Sequence, residues 1–219
     1  MIKDNKIWLK RIRNYAGLLG GLLPFLSILS AVLYSLSHGG LPAGFWKDLS
    51  ISETYYISPA LPGILTTASV ILMCYKGYDK WDNRVTTLSG AFGIMIVLFP
   101  CECVMSEPYV GFFQLPIFVS NIVHCISALI FFALLAVNSF FLFTKNDGDM
   151  TDRKKIRNIV YKVCGVGMAV TSLLLILPSN ILPAKVWLVE MIALLFFAVS
   201  WLTKGEAFPF LNDKTKKDK

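Results

Sequence analysis

The sequence predicts an all-α, polytopic membrane protein: a six-transmembrane-helix bundle with both chain ends on the cytoplasmic side. Three observations carry that expectation. Hydrophobic residues make up 55% of the 219 and charged residues only 16%, where a soluble domain carries about 25% charge. The charges are clustered, leaving long apolar runs between them. One run, 116–144, holds 29 residues without a single Lys, Arg, Asp or Glu, and at about 1.5 Å per residue it crosses a bilayer with length to spare. The third observation is the placement of Lys and Arg. Alternating six spans from an inside N-terminus puts 5, 3, 6 and 5 of them in the four inner segments, 19 of 21, and leaves only Lys47 and Lys185 outside. The positive-inside rule therefore sets N-in and C-in.

The elements follow in chain order. Residues 1–14 read as a basic cytoplasmic N-terminus, with Lys3, Lys6, Lys10, Arg11 and Arg13 beside the interfacial Trp8. The first span, 15–37, is too long for the apolar region of a cleaved signal peptide and reads as an uncleaved helix. A loop carries His38-Gly39-Gly40, Trp46 and the polar run Ser50 to Tyr56. Span two covers 57–75, with Pro59 and Pro62 suited to its first turn. The loop 76–84, KGYDKWDNR, leads to span three at 85–101, closed near Pro100. A second outer loop, CECVMSEPYVGFFQL, precedes span four, the long run 116–144. The polar connector 145–157 follows, with Thr151 or Asp152 as a cap for span five at 158–177. A turn at 179–183 gives span six at 184–203. The six spans form one transmembrane domain, 15–203, and 204–219 is a charged cytoplasmic tail, disordered past Phe210.

Small residues four apart, Gly17 and Gly21 or Ala16 and Gly20 on span one, predict close helix packing within one bundle, and secondarily a homo-oligomer face. The net charge of +7 is accounted for by topology, so nucleic acid is not an expected partner and membrane lipids are. The cysteines read as inert: Cys101 and Cys103 are too close in sequence for an unstrained bridge.

The candidate site comes from ionisable residues at membrane depth, where a charge is expensive and normally faces a cavity or a partner. Glu102 closes span three, His124 lies on span four and Glu190 on span six. Counted from the outer ends, His124 is about 12 Å deep and Glu190 about 9 Å, so the two are expected at similar height. Asn121, His124, Ala128, Phe131, Leu135 and Asn138 share one stripe of span four; Glu190, Leu194, Phe197, Trp201 and Lys204 share one of span six. The expectation is an outward-facing polar pocket lined by Glu102, Asn121, His124 and Glu190 and covered by Ser50, Ser52, Glu53, Tyr55 and Tyr56. Its functional reading is a metal or proton site using His124, Glu190 and Glu102. Its structural reading is a buried His–Glu pair that sets helix register. A divalent metal is not the favoured cofactor. On the inner side, Asp79 and Asp82 are expected either in a solvated loop or paired with Lys204.

Known catalytic patterns are lacking: no GxSxG, no HExxH, no phosphate-binding glycine loop. With two histidines in the chain, the three-His site of seven-helix hydrolases of the ceramidase and adiponectin-receptor type is excluded. The runs LSGAFGIMIVLFP (88–100) and VHCISALIFFALLA (123–136), with YKGYD (75–79) and SWLTKGE (200–206), give a different likeness. In them the chain resembles uncharacterised bacterial six-span membrane proteins, loosely grouped with the fibroblast-growth-factor-receptor-activating and autophagy-modulator membrane family. The resemblance implies six helices and a membrane location and supplies no activity. The expected function is binding or moving a lipid headgroup, an ion or a small solute in a bacterial-type inner or plasma membrane. Two alternatives remain open, a metal-dependent membrane hydrolase and a scaffold or sensor acting through its cytoplasmic loops.

Overall fold

The computed structural model describes residues 2–41, 45, 49–103, 105–146, 148, 150–174 and 185–213; at 2–6 and 185 it describes the backbone alone. Among the described residues six long helices dominate: α1 (Ile2–Ser37), α2 (Ala60–Cys74), α3 (Lys80–Leu98), α4 (Ile117–Val137), α5 (Asp152–Leu174) and α6 (Lys185–Lys204). Three segments are long and apolar enough to cross a membrane: Ile7–Ser37, Ile117–Leu142 and Val186–Lys204.

Each helix packs on its neighbours in sequence, and α1 closes on α6, so the six form a ring. The predicted stripes face its interior. His124, Phe131, Leu135 and Asn138 are buried on α4, as are Leu194, Phe197, Trp201 and Lys204 on α6. At the basic end of the ring the rings of Tyr75, Phe143 and Phe197 all pack against Trp201 at 5.2–5.7 Å, and Tyr161 packs edge-on to Phe143. Tilted and edge-to-face contacts of this kind favour aromatic pairs beyond their burial.

Several boundaries differ from expectation, each for a local reason. Helix α1 begins at Ile2, so the basic N-terminus forms its first turns rather than a separate segment. Helix α3 starts five residues early because Asp79 caps it: its Oδ1 accepts from the amides of Trp81 (2.8 Å) and Asp82 (3.0 Å), two of the donors a helix start leaves unpaired. Thr151 caps α5, its Oγ1 accepting from the Lys154 amide at 3.0 Å. Span four ends in a π-helical turn, Asn138–Leu142. The loop before α4 holds a small hairpin, β1 (Tyr109–Val110) with β2 (Leu115–Pro116), an antiparallel element in a chain read as all-α. Its tip includes Gly111 and Gln114 at positive φ. Past Phe210 the tail keeps contacts with α5: Asp213 Oδ2 pairs with Arg157 at 2.8 Å and its Oδ1 accepts from Thr151. The expected turn at 179–183 and the last residues of span five lie outside the described residues.

Candidate functional site

At the end of the ring away from the lysines, the sequence-predicted residues fall into two groups. Glu190 projects from the first turns of α6 under the segment 50–56. Its carboxylate accepts from the Ile51 amide (2.7 Å), the Ser52 hydroxyl (2.7 Å) and the Ser50 hydroxyl (3.2 Å). Ser50, Ile51 and Thr54 are buried, and Ser52–Tyr56 wind into a 3₁₀ turn that includes Glu53 and Tyr55. The polar run between spans one and two thus folds inward onto an acid 138 to 140 residues away.

His124 belongs to the second group. Its Nδ1 lies 2.9 Å from the Phe99 carbonyl oxygen and 3.2 Å from that of Ile96. A carbonyl only accepts, so Nδ1 carries the proton in this arrangement. Around it, Ser120 donates to the Pro100 carbonyl (2.8 Å), Tyr56 to the Cys101 carbonyl (2.7 Å), and Asn121 Oδ1 accepts from the Glu102 amide (3.0 Å). Burial pushes the Tyr56 phenol up, which keeps it a neutral donor. Helix α3 stops at Leu98 with Pro100 just beyond, and its last carbonyls have no intrahelical partners. Four side chains, Ser120, Asn121 and His124 from α4 and Tyr56 from the 3₁₀ turn, meet that stretch of backbone. The Glu102 side chain itself is exposed. Among the described residues no three His, Cys, Asp or Glu side chains are grouped to hold a metal ion. Glu190 is brought to Ser50 and Ser52, His124 to backbone carbonyls.

The basic end is built differently. A cleft of about 330 Å³ is lined by Leu9, Lys10, Arg13, Lys76, Gly77, Tyr78 and Glu206. Helix α1 supplies one wall. The strand-like exit from α2 supplies another, held by hydrogen bonds from the Gly77 amide to Asn83 Oδ1 (2.8 Å) and from the Tyr78 amide to Asp82 Oδ2 (2.9 Å). Lys10 and Glu206 pair across the mouth at 2.5 Å. Arg13 donates to the Tyr75 hydroxyl (3.1 Å) and the Lys204 carbonyl (3.4 Å), with its guanidinium over the Tyr75 ring.

Behind the cleft two buried lysines converge. Lys204 and Lys154, each 6% exposed, place their ammonium groups 3.1 and 3.2 Å from the same carbonyl oxygen, that of Phe143. The Lys204 ammonium also sits 4.7 Å from the centre of the Tyr78 ring, a cation–π contact. The expected pairing of Asp79 and Asp82 goes instead to Lys145, at 2.7 and 2.5 Å.

Asp79 supplies a pH prediction. The hydrogen bond from Lys145, then those from the Asp82 and Trp81 amides, hold its carboxyl down at about 2, against an ordinary 3.8. A depressed folded-state value contributes stability above the unfolded value, and that contribution is lost as pH falls through the folded one. Melting temperature in detergent should therefore fall between pH 4 and pH 2 in the wild type, and Asp79→Asn should flatten that part of the curve. An unaltered acid limb in the variant would remove Asp79 from this role.

The cleft was not among the sequence-predicted sites. The signal was present in the two Lys-Gly segments, YKGYD and SWLTKGE, which the fold places face to face. Compared with known proteins, the chain matches no family model, no curated protein and no solved structure.

Proposed function

We propose that the protein is a six-span integral membrane protein of a bacterial-type inner or plasma membrane, both termini cytoplasmic, whose basic cleft binds the phosphate-bearing headgroup of an anionic lipid. The observation that carries this reading is the cleft: three cationic side chains against one carboxylate, in a concavity large enough for a headgroup. Sites of a few hundred Å³ with convergent polar groups are the usual form of a small-ligand site.

Three further features support the membrane part. The side chains facing outward are apolar: Leu22, Phe25 and Leu29 on α1, Ile126 on α4, Val166 and Val170 on α5 are all exposed. Patches of that extent on a soluble monomer are rare. Six serines of the helical segments point the other way: Ser27, Ser69, Ser89, Ser127, Ser139 and Ser200 are buried. The exposed indoles of Trp8 and Trp81 lie near the cleft's own segments, at the level where interfacial aromatics sit. At the opposite end, Glu190 and His124 have their hydrogen bonds taken up by the loop and the backbone, which favours binding at the basic end.

The test is lipid retention by purified protein in nanodiscs, read by native mass spectrometry. Arg13→Gln with Lys76→Gln is expected to weaken retention of anionic lipid by about tenfold or more, since charged hydrogen bonds to phosphate are among the strong ones. Lys162→Gln, an exposed cation outside the cleft, should leave it unchanged. Equal retention of anionic and zwitterionic lipid by the wild type would reject the proposal.

A further inference from the structure

The cleft's charge and its surroundings identify which phosphate it takes. Resting on the reading of the cleft as a headgroup site, we infer that the headgroup is a terminal phosphomonoester, as in phosphatidic acid, rather than a phosphodiester. Lys10 is paired to Glu206 at 2.5 Å, so the pair carries no net charge. Arg13 and Lys76 remain, two positive charges facing one concavity. A phosphomonoester brings about 1.5 to 2 negative charges near pH 7 and three acceptor oxygens, whereas a diester brings one charge and two free oxygens. The match is to the monoester.

Arg13 is prepared for such a group. The Tyr75 hydroxyl and the Lys204 carbonyl fix its guanidinium from one side, while its Nε is buried and has no hydrogen-bond partner among the described residues. A buried N–H without an acceptor is costly, and it is the kind of exception that a bound oxyanion explains. Arginine also presents planar paired donors that fit phosphate oxygens in a way lysine does not.

The cleft wall adjoins the buried lysine pair. Tyr78 lines the cleft, and the Lys204 ammonium lies 4.7 Å from the centre of its ring. Lys154 stands beside Lys204 on the same Phe143 carbonyl. Lys204 makes no ion pair among the described residues. Its contacts are that carbonyl and the rings of Tyr78, Phe143 and Tyr161. Leu9 at the rim gives the glycerol and acyl ends an apolar contact.

The experiment compares two lipids and two soluble probes on the intact protein in zwitterionic nanodiscs. Phosphatidic acid, phosphatidylglycerol, sn-glycerol 3-phosphate and inorganic phosphate are titrated at pH 7.5 and pH 5.5. Phosphatidic acid is expected to bind about tenfold tighter than phosphatidylglycerol at pH 7.5. The preference should shrink at pH 5.5, where the monoester loses its second charge. Arg13→Gln should erase the preference. Lys76→Gln, an exposed position that cannot disturb the core, should reduce it and keeps the test valid if the Arg13 variant misfolds. Equal binding of the two anionic lipids overturns the monoester inference and leaves the headgroup site standing. Binding of neither overturns both. Glycerol 3-phosphate or inorganic phosphate binding as tightly as phosphatidic acid overturns the lipid as the source.

Discussion

Gly20→Leu will keep the helix ring from closing. Gly17, Gly20 and Gly21 face α6, where a Cβ on Gly17 would lie 3.0 Å from the Leu202 amide and 3.1 Å from the Ala198 carbonyl. A Cβ on Gly20 would run into the Phe197 ring, and Phe197 is 2% exposed and packs against Trp201. In lipid no hydrophobic effect drives helices together, so close backbone approach supplies much of the association. Overpacking this seam should cost about 3 kcal/mol or more. It should also separate Lys10 from Glu206 and Arg13 from Lys204, so headgroup binding is expected to go with stability. The measurement is a melting curve in detergent with the lipid assay alongside. A Gly20→Leu protein that melts like the wild type would show that α1 and α6 do not meet as described.

Glu190→Ala will free the segment 49–56. Its carboxylate is the common acceptor for Ser50, Ser52 and the Ile51 amide, and Ile51 is 3% exposed. Removing the acceptor leaves a buried backbone N–H and two hydroxyls unpaired, at about 3 kcal/mol. The segment 49–56 should become sensitive to protease, and the Ile51 amide should exchange its hydrogen much faster. Glu190→Gln is expected to fall between, because its amide retains one acceptor but turns a donor toward donors. Lipid retention at the distant cleft should be preserved in both. Slow exchange of the Ile51 amide in Glu190→Ala would refute the clamp.

The two predictions differ in how far the sequence pointed to them. The glycine seam was readable, because residues four apart on a helix share a face whatever surrounds them. Glu190 was recognisable as a residue needing a partner at depth. The height estimate that set it level with His124 held no information on which way each side chain turns about its helix. His124 turned toward the end of α3, where Pro100 cuts the helix short and leaves carbonyls in need of a donor. Asp79 as a helix cap had a local signal, a second acid, Asp82, three residues later, which placing the span start at Val85 passed over.

By itself the sequence determined a helical protein, where its helices run and which stripes of α4 and α6 face inward. Those properties depend on apolar length and on a 3.6-residue period, both local along the chain. Tertiary structure alone decided that residues 9, 10, 13, 76–78 and 206 share one cleft, and that Lys154 and Lys204 meet on a single carbonyl. Such groupings exist only once α1 has closed against α6. The rotation of each helix and the path of each loop are settled there by packing among all six, a property no window of the sequence contains.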